Sequence, residues 1–305
     1  MVKLSDNVFA DTVKSFIEAR SWSMGALAKA AGISNGALSQ FLAGKYPGDN
    51  DSLRAKVENV MTRERDKAVQ PKTASEFVET SAAQHVFEVA KYCHLFGDIG
   101  VCYSAAGLGK TESVREYARK HSDVILIEAN PGYTAHYLFR ELRELLGGTS
   151  RSNLLDIFVD CCQRLKGSGR LLIVDEAEQL PYKALEMLRR LHDKTGIGVL
   201  LTGMPKLLGN LRGLKGEYAQ LYSRVGIAYK LQPLSADDSG AIVQMLLPGA
   251  SAGVVKAFYK ESGGITRRLC KIVRRAKYVA KINAHDVDEE VVRLAASLVK
   301  MEVMS

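Results

Sequence analysis

Residues 104–111 read SAAGLGKT, and their types and spacing suit the binding of a nucleoside triphosphate. Gly107 and Gly109 allow successive backbone N–H groups to curl around phosphate oxygens. Lys110 brings a positive charge to the β- and γ-phosphates, and the Thr111 hydroxyl is a ligand for Mg²⁺. The sequence therefore predicts a phosphate-binding loop that takes a nucleoside triphosphate together with Mg²⁺.

The setting of this loop supports the prediction. An apolar run at 99–104 precedes it and a helical pattern follows it, so the loop joins a strand to a helix. Ser104 departs from the strict motif, which has glycine at its first position. A chance match in an ordinary loop is the weaker alternative in this context. The expected nucleotide contacts are Gly107, Leu108, Gly109, Lys110, Thr111 and Glu112.

Two adjacent acids follow a second apolar run, at 171–174. This run delivers Asp175 to the carboxyl end of a strand, where a carboxylate orients the ligands of Mg²⁺. Glu176 comes next, where it can polarise an attacking water. Both acids could instead cap the helix that follows. Together with the phosphate-binding loop they favour hydrolysis over transfer to a small acceptor, and they are typical of the additional-strand class of P-loop proteins.

Three further polar residues fit an ATPase whose subunits share their nucleotide sites. Thr202 ends the run GVLLT beside the expected γ-phosphate, where it can sense hydrolysis. Arg224 precedes the last apolar run and is a candidate arginine finger for a neighbour's nucleotide, with Arg212 as its rival. Arg267 opens a helix near the carboxyl terminus and could contact phosphate from there. Against each arginine stands the alternative of a solvated surface charge.

Five short apolar runs alternate with helical stretches; they lie at 99–104, 123–129, 170–175, 196–203 and 225–231. Strands this apolar predict a parallel sheet covered by helices on both faces. From residue 233 onward the pattern is helical. The fold class expected is therefore α/β, and the expected domains are a helical unit at 1–65, a polar linker at 66–80, an ATPase core at 81–232 and a helical lid at 233–305.

Residues 24–42 have the spacing of a helix-turn-helix. Two short helices can cross closely where a small residue, a turn glycine and apolar contacts recur at these positions, which are Ala28, Gly32, Ile33 and Leu38. Asn35 is the expected cap of the second helix. That helix would offer short polar side chains to base edges or phosphates, namely Asn35, Ser39 and Gln40, with Lys45 just beyond. A tight helical hairpin without a DNA-binding role is the alternative.

The overall composition limits the function classes. The chain has 42 Lys and Arg against 34 Asp and Glu, a net charge of +8, which permits nucleic-acid binding without requiring it. The densest basic stretch, 267–281, could bind DNA, bind a partner or be a solvated helix face. Five cysteines without CxxC spacing disfavour a zinc site and a disulfide framework. The apolar runs are too short for a membrane span and no secretory core is visible, so we expect a cytoplasmic protein that makes no membrane contact.

Taken in order, SAAGLGKT, LLIVDEAEQL, the strand before Thr202, YSR and GGITRRL resemble the motifs of AAA+ ATPases. With GISNGALSQFLAGKYPGDN, FVET at 77–80, GKTESVREY and GIGVLLTG, nearly the whole chain is similar to the B transposition proteins of Mu-like phages and prophages. The resemblance implies a five-stranded parallel AAA+ sheet with a helical lid, preceded by an all-α helix-turn-helix domain. It implies these roles: Lys110 and Thr111 at phosphate and Mg²⁺, Asp175 and Glu176 in hydrolysis, Arg224 between subunits, and Arg267 in the lid.

The same resemblance implies an ATP-dependent, largely sequence-nonspecific binder of double-stranded DNA in a bacterial host cell. Such proteins assemble with themselves as helical filaments on target DNA when ATP is bound, capture that DNA and stimulate a partner transposase. The transposase promotes hydrolysis and release, which gives target immunity. DNA contacts are then expected in the loop after run 123–129 and near it, at Tyr133, Thr134 and Arg151.

Two other functions stay open on the sequence. A helicase loader of the replication type would carry the same ATPase motifs and differ in its partner. A helix-turn-helix transcription regulator with a decayed ATPase would keep the amino-terminal unit. The intact Lys110, Asp175 and Glu176 argue against the latter.

Overall fold

The structure, a computed structural model, describes residues 6–69, 77–149, 152–213 and 219–300. The chain divides into two compact units, Met1–Ser75 and Glu76–Ser305. Each unit has its own hydrophobic core, and each is described by itself below.

The first unit is helical. It contains α1 (Asp6–Ala19), α2 (Met24–Ala30), α3 (Asn35–Leu42) and α4 (Asn50–Val69). Their apolar faces meet in one core, whose most buried members are Val13, Leu27, Leu38 and Val57. Because α4 continues to Val69, the first residues of the expected linker are helical.

The turn between α2 and α3 corrects one expectation. The cap of α3 is Ser34, whose hydroxyl accepts a hydrogen bond from the Ala37 N–H at 3.1 Å. Asn35 is instead the first residue of the helix, because the serine before it has the extended backbone that a cap requires. Gly32 lies in the turn with a φ of 65°, a left-handed conformation that favours glycine.

The second unit is built on a five-stranded parallel sheet, as the sequence predicts. Its strands are β1 (Ile99–Tyr103), β2 (Val124–Glu128), β3 (Leu171–Asp175), β4 (Gly198–Gly203) and β5 (Val225–Lys230). Their order across the sheet is β2-β3-β4-β1-β5, and every neighbouring pair is parallel. Strand β4 therefore lies between β1 and β3, which is the topology of the additional-strand class.

Helices cover both faces of this sheet. They are α5 (Ser81–Phe96), α6 (Lys110–Lys120), α7 (Ala135–Leu145), α8 (Leu154–Leu165), α9 (Tyr182–Thr195), α10 (Lys206–Arg212) and α11 (Ala219–Tyr222), with a 3-10 turn at Ala177–Gln179. Helices α5 and α6 pack on one face, and α7, α8 and α9 pack on the other. Polar side chains at or near the ends of β1, β3 and β4 stand at the carboxyl edge of this parallel sheet, which is where open α/β sheets bind their ligands.

The end of the chain forms a helical lid on its own small core. It comprises α12 (Ala236–Leu246), α13 (Ala252–Ser262), α14 (Thr266–Ile282) and α15 (Glu289–Lys300). Apolar side chains from all four helices fill that core, among them Val243, Phe258, Ile272 and Val292. The helical pattern expected from residue 233 onward is confirmed.

Within the described residues, no helix is long and apolar enough to cross a membrane. All five cysteines are free thiols; Cys93, Cys102 and Cys161 are buried, and Cys162 and Cys270 are half-buried. Burial raises the pKa of the Cys102 thiol to about 12. These side chains serve packing.

Candidate active site

The loop after β1 is shaped by two glycines. Gly107 and Gly109 have φ angles of 84° and 94°, which side chains with a Cβ rarely adopt. Gly109 is also the cap residue of α6, and no side chain caps that helix. The first N–H groups of α6 therefore lack helical partners and face the loop, which is an arrangement that attracts phosphate.

Lys110 is held inside this loop. Its side chain is 9% exposed, and its Nζ donates to the Ser104 and Ala105 carbonyls at 3.0 Å each and to the Ser104 Oγ at 2.7 Å. Burial lowers the pKa of Lys110, while Asp175 and Glu178 oppose the shift. Ser104, which departs from the usual motif, thus supplies an acceptor for the lysine, a contact that no sequence pattern indicates.

Asp175 joins the two halves of the site. Its carboxylate is 2% exposed and accepts hydrogen bonds from the Thr111 Oγ1 at 2.6 Å and from the Thr202 Oγ1. The sheet register explains the second bond: Val174 pairs with Leu201, so the next residues on β3 and β4 lie side by side.

The hydroxyl and carboxylate oxygens of Thr111 and Asp175 suit Mg²⁺, which proteins hold through a few oxygen ligands together with substrate phosphates. In the described part of the chain, no group of three or more His, Cys, Asp and Glu side chains is arranged to hold a metal by itself. The donor set therefore fits a magnesium ion that arrives with its nucleotide.

Glu176 has an unusual backbone. Its φ is 52°, in the left-handed region, which costs free energy for a residue with a Cβ. Its side chain is exposed and caps no helix, so the alternative of a helix-capping acid is not realised. Burial, then the charges of Asp175 and Glu178, raises the pKa of its carboxyl. This environment favours a proton acceptor.

The lid contacts the loop directly. The backbone N–H of Arg267 donates to the Gly107 carbonyl at 3.0 Å. A Cβ on Gly107 would stand 3.1 Å from the Arg267 Cβ and from the Ile265 side chain, so the close approach depends on glycine. The Arg267 side chain is exposed next to the loop, which leaves its guanidinium available to a phosphate.

The two finger candidates differ in their surroundings. Arg224 is 53% exposed, and its Nε contacts the Asp193 carboxylate at 3.2 Å. Arg212 stacks on the Tyr222 ring, 4.4 Å from its centroid, and donates to the Tyr222 hydroxyl at 2.5 Å. Arg224 has the freer side chain because an exposed single ion pair is weak.

Two of the expected nucleotide contacts have side chains that are engaged elsewhere in the structure. Leu108 is 5% exposed, and its side chain packs in the interior. Glu112 is exposed on α6 and pairs with Arg115 at 3.1 Å. For these two residues the predicted phosphate contact is therefore one through the backbone N–H.

Two residues at the site were not predicted from the sequence, namely Glu178 and Thr266. Glu178 has a buried carboxylate oxygen, Oε2, without a hydrogen-bond partner among the described residues, packed against Gly203. Thr266 begins the lid helix beside the loop. Their only sequence signal was their place next to Glu176 and Arg267 in the two motifs.

The expected DNA contacts of the first unit lie on its surface. Asn35, Ser39 and Gln40 are exposed on α3, and Lys45 is exposed just beyond it. Helix α3 packs through its opposite face, where Leu38 is fully buried. The polar face is thus free of the unit's core.

The loop after β2 corrects a further expectation. Tyr133 is 7% exposed and belongs to the core, and its hydroxyl donates to the Glu141 carboxylate. The ring therefore has no access to DNA in this structure. Thr134 is exposed and caps α7 by accepting from the Tyr137 N–H at 3.2 Å. Arg151 lies outside the described residues.

The sheet topology, the loop, the acidic pair and the lid define an AAA+ P-loop ATPase, and the model of an AAA domain matches residues 97–211. The chain is 32% identical to the Mu-like prophage FluMu DNA transposition protein B of Haemophilus influenzae over 225 residues, which cover 72% of this chain and 78% of that protein. It is 27% identical to the ATP-dependent target DNA activator B of Escherichia phage Mu over 298 residues, 95% of each chain. The chain belongs to the family of the B transposition proteins of Mu-like phages.

Solved structures resemble the fold. The ORC2 protein of Aeropyrum pernix aligns with a TM-score of 0.55 at 19% identity, over 75% of this chain and 69% of that one. A Walker-type ATPase of Pyrococcus abyssi aligns with a TM-score of 0.56 at 15% identity, over 77% and 76% of the two chains. At these identities the likeness concerns the fold alone.

Proposed function

We propose that this ATPase binds double-stranded DNA without sequence preference and assembles on it as a helical filament while ATP is bound. The filament captures target DNA and activates the transposase, and hydrolysis disassembles it. The observation that carries the proposal is the intact site around Asp175, in a chain related along its length to target DNA activators. We place this activity in the cytoplasm of a bacterial host.

The site residues take these roles. Lys110 neutralises the β- and γ-phosphates, and the N–H groups from Gly107 to Glu112 cradle them. Thr111 and Asp175 would hold Mg²⁺, which would supply positive charge to the phosphates when bound. Glu176 orients the attacking water and accepts its proton as the bond between the γ-phosphorus and the ADP oxygen breaks. Thr202 fixes Asp175 through its hydroxyl.

Two arginines link hydrolysis to assembly. Arg224 reaches a nucleotide bound by the neighbouring subunit and stabilises the charge of its transition state. Arg267 contacts phosphate from the lid of the same subunit. Nucleotide at the subunit boundary then controls the strength of the interface and hence the residence time on DNA.

DNA is held through its backbone. In the first unit the DNA contacts come from the polar face of α3 and just beyond it, at Asn35, Ser39, Gln40 and Lys45. In the second unit they come from Thr134 and Arg151. The proposed division is a DNA-binding unit at 1–65, a linker at 66–80 whose first residues continue α4, a core at 81–232 and a lid at 233–305. Contacts to phosphates make affinity fall steeply with salt.

The test is electron microscopy of the full chain with random-sequence duplex DNA. Filaments are expected with ATP and Mg²⁺ and not without nucleotide. Lys110→Ala should prevent ATP binding and assembly, whereas Glu176→Gln should keep ATP bound and give longer-lived filaments. Observing only discrete monomers on DNA with ATP at low salt would contradict the proposal that the protein forms filaments. Undiminished turnover in both variants would overturn the site.

A further inference from the structure

The lid helix α14 begins against the phosphate-binding loop. The Arg267 N–H donates to the Gly107 carbonyl at 3.0 Å, and Ile265 packs over the same glycine. Thr266, between them, is the first residue of α14, and its Oγ1 lies 3.9 Å from the point where a Cβ on Gly109 would stand. Its hydroxyl therefore faces the glycine that precedes Lys110.

This hydroxyl is buried and has no hydrogen-bond partner in the part of the chain that the structure describes. It does not cap its own helix, since α14 has no side-chain cap. A buried hydroxyl without a partner destabilises the folded state. Nearly all buried polar side chains in proteins have a partner, so this one calls for a functional explanation.

We propose that the Thr266 hydroxyl donates a hydrogen bond to a phosphate oxygen of the bound nucleotide. Because the loop's N–H groups cradle the inner phosphates, the acceptor is a phosphate that nucleoside di- and triphosphates share. Thr266 is then a neutral contact between lid and nucleotide, distinct from the charge of Arg267. The inference rests on the nucleotide site proposed above.

The experiment measures ADP and ATP binding by calorimetry in the full chain, and thermal unfolding of the nucleotide-free protein. Thr266→Val keeps the shape and removes the hydroxyl, and Thr266→Ser keeps the hydroxyl. The valine variant is expected to bind ADP and ATP roughly three- to tenfold more weakly, in line with one lost hydrogen bond. It should leave the unfolding temperature of the nucleotide-free protein unchanged or higher, because the unpartnered hydroxyl is gone. Serine should bind like the parent.

Ser239 in α12 offers a matched control. It is 0% exposed, its hydroxyl also has no partner among the described residues, and it lies on α12, a different lid helix from α14. Ser239→Ala should leave both affinities unchanged. If it weakens binding as much as Thr266→Val, the effect belongs to the lid as a whole and the proposal is overturned.

Two further outcomes separate this inference from the site itself. If Lys110→Ala abolishes binding but Thr266→Val leaves both affinities intact, the Thr266 contact is wrong and the nucleotide site stands. If Lys110→Ala also binds normally, the nucleotide site is wrong and the inference falls with it. A valine variant that unfolds at lower temperature yet binds normally shows a packing role and overturns the contact.

Discussion

Asp175 depends on two hydroxyls because its carboxylate is almost completely buried. Thr111 donates to one oxygen and Thr202 to the other. When a buried carboxylate oxygen loses its hydrogen-bond donor, the free-energy cost of removing that oxygen from water is no longer offset. The threonine on β4 is therefore as important to this acid as the one in the phosphate-binding loop.

Thr202→Val tests that dependence. We expect the free energy of unfolding to fall by about 1–3 kcal/mol, because one oxygen of Asp175 loses its donor. ATP turnover should fall as well, since the carboxylate is less firmly placed. Thr202→Ser, which keeps the hydroxyl, is the control. Urea unfolding and ATPase assays measure both effects, and a valine variant with parental stability would contradict the account.

The pKa of Glu176 gives a prediction on pH. Glu176 must be ionised to accept a proton, and burial together with Asp175 and Glu178 raises the pKa of its carboxyl. ATP hydrolysis should therefore fall with decreasing pH at a higher pH than an ordinary glutamate, with a pKa of about 4.3, would give.

Removing one of those charges should move the profile. Glu178→Gln lowers the pKa of Glu176, so the acidic limb of the rate profile should shift to lower pH. Glu290→Gln, an exposed acid on α15, is the control and should leave the limb in place. The measurement is the ATPase rate under saturating ATP from pH 5 to 8. An unmoved limb in the Glu178 variant would show that Glu176 is not the titrating group.

At the scale of elements, Asp238 fastens the lid to the core. Its carboxylate accepts from the Ser81 N–H at 2.8 Å and the Ser81 Oγ at 2.5 Å, at the start of α5. It also accepts from the N–H and hydroxyl of Ser235, which caps α12. Burial by itself would raise the pKa of Asp238, but these donors outweigh it and lower the pKa. One charged group thus joins two helices from distant parts of the chain.

Asp238→Asn is expected to lower the free energy of unfolding at pH 7 by roughly 1–3 kcal/mol, because donors lose a charged acceptor. A folded-state pKa below the unfolded value of about 3.9 means that this stabilisation is present above that value and lost as the pH falls through the folded-state pKa. The difference from the parent should therefore shrink in urea unfolding at pH 3. Asp237 is the exposed neighbour of Asp238 in the same helical turn, and Asp237→Asn should leave the free energy of unfolding unchanged at both pH 7 and pH 3. A constant difference at both pH values would contradict an ionised clamp.

The sequence predicted the elements where the signal is local. Each strand of the sheet is a short, mainly apolar run, and the phosphate-binding loop is a short contiguous motif, so both could be predicted. The contact of Asp238 with Ser81 spans 157 positions and leaves no periodic trace. Tyr133 looked like an exposed loop residue because nothing local shows that its hydroxyl reaches Glu141. The contacts that could not be predicted from the sequence are those that tertiary packing determines.

At the scale of the whole molecule, Arg224 is the residue through which one subunit would act on another. Within the described residues its one ion pair, with Asp193, is largely exposed and contributes about 0–1 kcal/mol. Arg224→Ala should therefore leave the folding of each subunit intact. ATP hydrolysis on DNA should fall by roughly 10³-fold or more, as expected when an arginine finger is lost.

Mixing two inactive variants tests whether this arginine acts between subunits. Arg224→Ala keeps Glu176 but lacks the finger, and Glu176→Gln keeps the finger but lacks the base. In mixed assemblies on DNA, a nucleotide site of the first variant can face Arg224 of the second variant. Hydrolysis should therefore return to a fraction of the parental rate, and this fraction should be highest when the two variants are mixed in equal amounts. Arg212→Ala, mixed in the same way, should be active alone and show no such rescue. If Arg224→Ala keeps cooperative hydrolysis while Arg212→Ala loses it, the finger is Arg212. If no mixture recovers activity, Arg224 acts within its own subunit.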